Sequence, residues 1–76
     1  MELGQQLKQY IRDHRSIEVE NEESLFDRGI LDSMALMELI MFIEDRTGLK
    51  VPAEEVIPEN FETISRIGKL LNRLQA

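Results

Sequence analysis

Apolar residues recur every three or four positions along most of this chain, and that spacing restricts the fold to helices before any other property is considered. Leu3, Leu7, Tyr10 and Ile11 make one stripe over about residues 2–13. Ile64, Ile67, Leu71 and Leu74, with Leu70 beside them, make another that opens near Thr63, a residue type suited to cap a helix. Between them an apolar-rich stretch begins at Asp32–Ser33 and ends at Thr47–Gly48, with a favoured N-cap at one end and the favoured post-helix residue at the other. Pro52 can open a helix and Pro58 cannot continue one, which predicts a short element over residues 53–57. No segment alternates as a strand does. The long polar stretch Arg15–Glu23 reads as a loop with Ile17 and Val19 as its buried points, followed by an apolar anchor at Leu25–Phe26 and a turn at Gly29. The expected architecture is all-α, a small four-helix bundle of three main helices and one short helix with a long first loop, in a single domain over residues 1–76.

The chain has 76 residues and no cysteine, so no disulfide or Cys-based metal site supports the core. A domain of this size buries only about 60% of its unfolded surface. The 42% apolar content is still ample for a folded domain. One histidine, His14, excludes a histidine metal cluster and leaves few groups for catalysis, so an enzyme is not expected. Without cysteine there is no internal thiol, and any thioester chemistry needs a thiol from an added group. The net charge of −6 repels the phosphates of nucleic acid and favours basic protein partners. No run approaches the roughly 20 apolar residues of a membrane span, and Met1–Tyr10 has no apolar signal core. A cytoplasmic monomer is the expectation.

The second helix has more apolar surface than one buried face requires. Successive helix residues turn by about 100°. Leu36, Leu39, Ile40, Ile43 and Thr47 then share the core side, whereas Met34 and Met41 fall opposite, beside Glu38 and Asp45. Methionine adapts to different partners, so this strip reads as a docking surface. The alternatives are methionines tucked beneath the first loop, or scattered exposed residues of no consequence.

The stretch Asp27-Arg28-Gly29-Ile30-Leu31-Asp32-Ser33-Met34 puts a serine hydroxyl at a helix start. Free N–H groups and the positive end of the helix dipole favour an anion there. A phosphate esterified to Ser33 would suit the position, although Asp and Ser are also ordinary N-caps. The wider pattern resembles the acyl carrier protein family. The resemblance runs through Leu25-Phe26-Asp27, Gly29 and Asp32-Ser33-Met34, which is similar to that family's Asp-Ser-Leu. It continues through Glu38-Leu39, Ile43-Glu44-Asp45, Gly48, Val51-Pro52, Pro58-Glu59-Asn60-Phe61 and the stripe from Ile64. The resemblance implies a protein that is no enzyme but carries acyl or aminoacyl groups as thioesters on a covalent 4′-phosphopantetheine arm. It puts the arm on Ser33 alone, while Asp32, by its position just before the helix, reads as a cap or as a contact to a metal in a modifying enzyme. It implies a phosphopantetheinyl transferase that draws on coenzyme A, a loading ligase and downstream biosynthetic enzymes as partners. Met34, Glu38, Met41 and Asp45 are the expected partner surface.

Some positions depart from the fatty-acid carriers. Met34 replaces the usual Leu, Ala35 replaces a usual acid, and Phe42 and Arg46 make the second helix less acidic. Asp-Ser-Met is more similar to stand-alone carriers of D-alanine and to carriers of specialised biosynthesis, and the cargo stays open between acyl and aminoacyl groups. The rival class is a helical interaction module that is never modified. Asp27–Glu38 has the length of a calcium loop, but Gly29 and Leu31 stand where ligands belong. Glu22–Glu23 and Glu54–Glu55 read as solvated charges, and His14 as an exposed residue near a helix end. Gly68 either permits a close helix approach or weakens its helix by about 1 kcal/mol.

Overall fold

The computed structural model describes residues 2–75. It contains α1 (Glu2–Arg15), α2 (Ser33–Thr47), α3 (Pro58–Phe61) and α4 (Ile64–Gln75), with a single 3-10 turn at Ala53–Glu55. No strand occurs among the described residues. The all-α expectation therefore holds, with four helices and a long first loop.

Each helix buries the face that its spacing dictates. Leu7 and Ile11 of α1 are buried, with Leu3 and Tyr10 packed at the edge of the core. Ile64, Ile67, Leu70 and Leu71 of α4 are buried as well, and α4 packs against both α1 and α3. Leu39, Ile40 and Ile43 form the buried face of α2, while Leu36 and Thr47 are only half-buried. Gly68 is buried and lines the same groove as Gly4 of α1. No polar or charged residue is buried among the described residues, so apolar burial holds the core together.

The ends of the long helices follow the sequence signals. Gly48 closes α2 in the left-handed conformation, φ 73°, and its N–H donates to Glu44 O at 2.9 Å. Thr63 opens α4, its Oγ1 accepting the N–H of Arg66 at 3.0 Å. α1 runs two residues past the expected end, and Arg12, His14 and Arg15 lie in its last turn, where the dipole favours positive charge.

The short element departs from expectation. The 3-10 turn ends at Glu55, the chain extends through Ile57, and Pro58 opens a separate helix. Proline lacks the N–H that a first-turn residue would leave unpaired, so it starts a helix as readily as it stops one. Phe61, fully buried, ends this helix and anchors it in the core.

Leu25, Ile30 and Leu31 fasten the first loop to the core, and Val19 joins them, whereas Ile17 is half-buried. The loop is also tied by its backbone to the start of α4. Leu25 N–H donates to Glu62 O at 2.7 Å, and Ser65 N–H donates to Asn21 O at 3.1 Å. These ties fix the chain just before α2 begins.

Candidate functional site

Ser33 is the first residue of α2, and both it and Asp32 are exposed. Asp32 has an extended backbone, φ −136° and ψ −169°, and acts as the N-cap. Its Oδ1 accepts the N–H of Ala35 at 2.8 Å, and its carbonyl accepts the first helical bond from Leu36 N–H at 2.8 Å. The capping task therefore falls to Asp32, and the Ser33 hydroxyl is left facing solvent. No acid lies in the first turn of α2, so Asp32 is the one carboxylate that this helix itself places at its positive end.

The approach to Ser33 is a tight turn. Leu25 carbonyl accepts the N–H of Ile30 at 2.9 Å and of Leu31 at 3.2 Å. Gly29 takes φ 73°, which a residue with a side chain adopts only with strain, and its N–H donates to Phe26 O at 3.0 Å. Arg28 pairs with Glu23 across the turn. The Glu23 carboxyl is held below the usual range, chiefly by the N–H of Glu20 and further by Arg28, against the opposing effect of burial.

The exposed face of α2 carries Met34, Met37 and Met41, which are 76%, 57% and 66% exposed. They do not lie beneath the first loop. Glu38 and Asp45 are exposed on the same helix. Spacing alone had picked out Met34 and Met41 but not Met37, although three-then-four spacing joins all of them in one row. Beside this row an open apolar groove of about 410 Å³ runs between α2 and the segment after it, lined by Met37, Ile40, Met41, Val51, Ala53 and Val56. Glu44 holds that segment in place, its Oε2 accepting Val51 N–H at 2.8 Å. Ile57, 41% exposed, is the remaining large apolar residue exposed among the described residues.

Phe42 and Arg46 have a local use. Arg46 lies 5.0 Å above the Phe42 ring, Phe42 packs on Tyr10 at 4.4 Å between centroids, and Tyr10 stacks on His14 at 4.2 Å. This ladder joins α2 to α1. Burial pushes the Tyr10 hydroxyl above its ordinary pKa, the Glu38 carboxylate adds to that, and Arg15 opposes it. Glu55 is structural too, accepting from Asn60 Nδ2 at 3.0 Å and from Arg73 at 3.1 Å. Among the described residues no three His, Cys, Asp or Glu side chains come together in a way that could hold a metal, and no helix is long and apolar enough to cross a membrane.

With that geometry in view, the phosphopantetheine attachment site family matches residues 5–71. The chain belongs to this family. Among its relatives is a D-alanyl carrier protein of Streptococcus uberis, 39% identical over 54 residues, which covers 71% of this chain and 68% of the relative. A D-alanyl carrier protein of Streptococcus pyogenes is 37% identical over the same shares. Two solved structures share the fold. One is a chain in the crystal structure of Bradyrhizobium japonicum glycine:[carrier protein] ligase complexed with glycylated carrier protein. It has a TM-score of 0.75 and 23% identity, with 91% of this chain and 93% of that one covered. The other is a chain in a crystal structure of an FAD-dependent dehydrogenase, with a TM-score of 0.72, 30% identity, and 84% and 90% covered.

The protein is thus a carrier of acyl or aminoacyl groups on covalent 4′-phosphopantetheine, and is not itself catalytic. The arm brings the thiol that the cysteine-free chain lacks and on which the thioester forms. An unmodified interaction module is set aside by the family membership.

Proposed function

We propose that Ser33 bears the arm. The observation that carries this reading is the division of labour at the head of α2: Asp32 caps the helix, and the neighbouring hydroxyl is exposed with no capping task. In loading, Ser33 Oγ bonds to the phosphorus of the pantetheine arm of coenzyme A, adenosine 3′,5′-bisphosphate leaves, and the hydroxyl proton passes to a base on the transferase. The ester phosphate then sits at the positive end of α2. Asp32 holds the first turn in shape and stands ready to contact a metal in the transferase site.

The cargo we assign is an aminoacyl group, on the strength of the D-alanyl carrier relatives. An adenylating ligase then loads it, and partners dock on Met34, Glu38, Met41 and Asp45, to which Met37 is added. Residues 1–76 act as one carrier domain, monomeric and in the cytoplasm.

Incubation with coenzyme A, magnesium and a broad-specificity phosphopantetheinyl transferase tests the assignment by intact mass. Wild type should gain one phosphopantetheine, and a folded Ser33→Ala should gain none. A modified Ser33→Ala, or a wild type left bare under conditions that load a known carrier, would sink it.

A further inference from the structure

Ser33 is exposed, so its position depends on the backbone that leads to it. That backbone can be traced bond by bond to Glu62, far away in sequence at the junction of α3 and α4. Glu62 carbonyl accepts Leu25 N–H at 2.7 Å, and its carboxylate accepts the Ser24 hydroxyl at 3.2 Å. Ser24 is the corner of the turn. Its Oγ accepts Asp27 N–H at 3.2 Å, and its carbonyl accepts Arg28 N–H at 3.1 Å. Leu25 carbonyl closes the turn on Ile30 and Leu31, and Leu31 is bonded to the cap, Asp32.

The two bonds of Glu62 differ in kind. The one to Leu25 is made by backbone and survives any change of side chain. Leu25, Ile30 and Leu31 also remain buried without help from the carboxylate. The bond to Ser24 is half-buried and is made by the side chain alone, at the long 3.2 Å of a modest hydrogen bond. Losing it frees the corner of the turn while leaving the core intact. We propose that Glu62 is a positioning residue for Ser33: through Ser24 and the turn of residues 24–29, its carboxylate holds the serine hydroxyl in one place while partners engage α2. This rests on Ser33 as the attachment residue.

Positioning acts on the chemical step, because a reacting group held out of place loses rate even when docking is unchanged. The experiment measures transferase kinetics against carrier concentration, at a temperature where circular dichroism shows each variant folded. Glu62→Ala and Ser24→Ala should each lower kcat for modification by about three- to ten-fold, the scale of one hydrogen bond, with KM little changed. The double variant should be no worse than Ser24→Ala alone, because that change already removes the bond to Glu62 together with the Asp27 N–H bond to the serine hydroxyl. Glu62→Gln, whose amide oxygen still accepts from Ser24, should stay near wild type. Wild-type kcat in the alanine variants, additive losses, a change in KM alone, or a glutamine variant as poor as the alanine one would each overturn the proposal. Should Glu62→Ala fail to fold, Glu62→Leu, which keeps apolar bulk and the Asp27 bond to Ser24 but accepts no hydrogen bond, decides by the same criterion. A wild type that is not modified overturns the Ser33 assignment and this proposal together, whereas a normally modified Glu62→Ala overturns this proposal alone.

Discussion

Ser16 is the one non-glycine with a left-handed backbone among the described residues, φ 57°. It stands just past α1, and its N–H donates to Arg12 O at 2.9 Å, the bond expected of a helix-ending glycine. A side chain in this conformation costs roughly 1–2 kcal/mol, partly offset because glycine loses more freedom on folding. Ser16→Gly should therefore stabilise the protein by about 0.5–1 kcal/mol, with Ser16→Ala giving no gain. Urea unfolding followed by circular dichroism checks this, and an unchanged midpoint for Ser16→Gly would show that the position is unstrained. The same scale shows what a sequence conveys about single residues. Gly48 announced its left-handed cap because glycine is the common choice there, whereas Ser16 gave no sign, because serine is ordinary in loops. Asp32 and Ser33 were both legible as cap candidates. Which one capped and which was free depended on a single hydrogen bond, from Ala35 N–H to Asp32 Oδ1.

Among the elements, α2 grades from core to surface within one turn. Ile43 is 0% exposed, Ile40 is 7% exposed at the edge of the apolar groove, and Met41 is 66% exposed. Truncation costs should follow that order. Ile43→Ala should lose about 3–5 kcal/mol, Ile40→Ala about 2, and Met41→Ala less than about 0.5. Chemical denaturation of the three variants gives the ranking, and a Met41→Ala loss equal to that of Ile40→Ala would mean that the methionine row is part of the core. The long helices were legible because their apolar stripes and end residues agree. The region after α2 was not, because Pro58 carries both a stop and a start signal and its neighbours Ile57 and Glu59 do not favour one over the other. The buried Phe61 favours the start, but its burial depends on α4, a contact that local pattern does not contain. The docking row was half legible: Met37 lies towards the groove side of α2, where spacing alone does not separate surface from core.

Taken as a whole, the molecule has a net charge of −6 and an uncharged row of methionines between Glu38 and Asp45 on one side and the apolar groove on the other. Charge steers the encounter, and the apolar centre sets how long the complex lasts. These two contributions should separate by salt. Glu38→Lys exchanges an attraction for a repulsion, so it should weaken binding of a basic transferase or ligase several-fold at low ionic strength. At 1 M salt the effect should largely vanish, because the Debye length falls from about 10 Å at 0.1 M to about 3 Å. Met41→Ala removes contact area, and its loss should persist at both salt concentrations. Glu38 also adds to the upward push on the Tyr10 hydroxyl, so Glu38→Lys should move the tyrosine titration down and Met41→Ala should not. That optical titration verifies that the charge change acts where the structure puts it. Binding of each variant to its transferase, titrated at low and high salt, decides the matter. If Glu38→Lys loses as much at high salt as at low, its effect is steric and the charge argument fails. If neither variant weakens binding, partners engage a different face, and the first loop, which exposes Asp27 and Arg28 a few residues before Ser33 in the chain, is the next surface to alter.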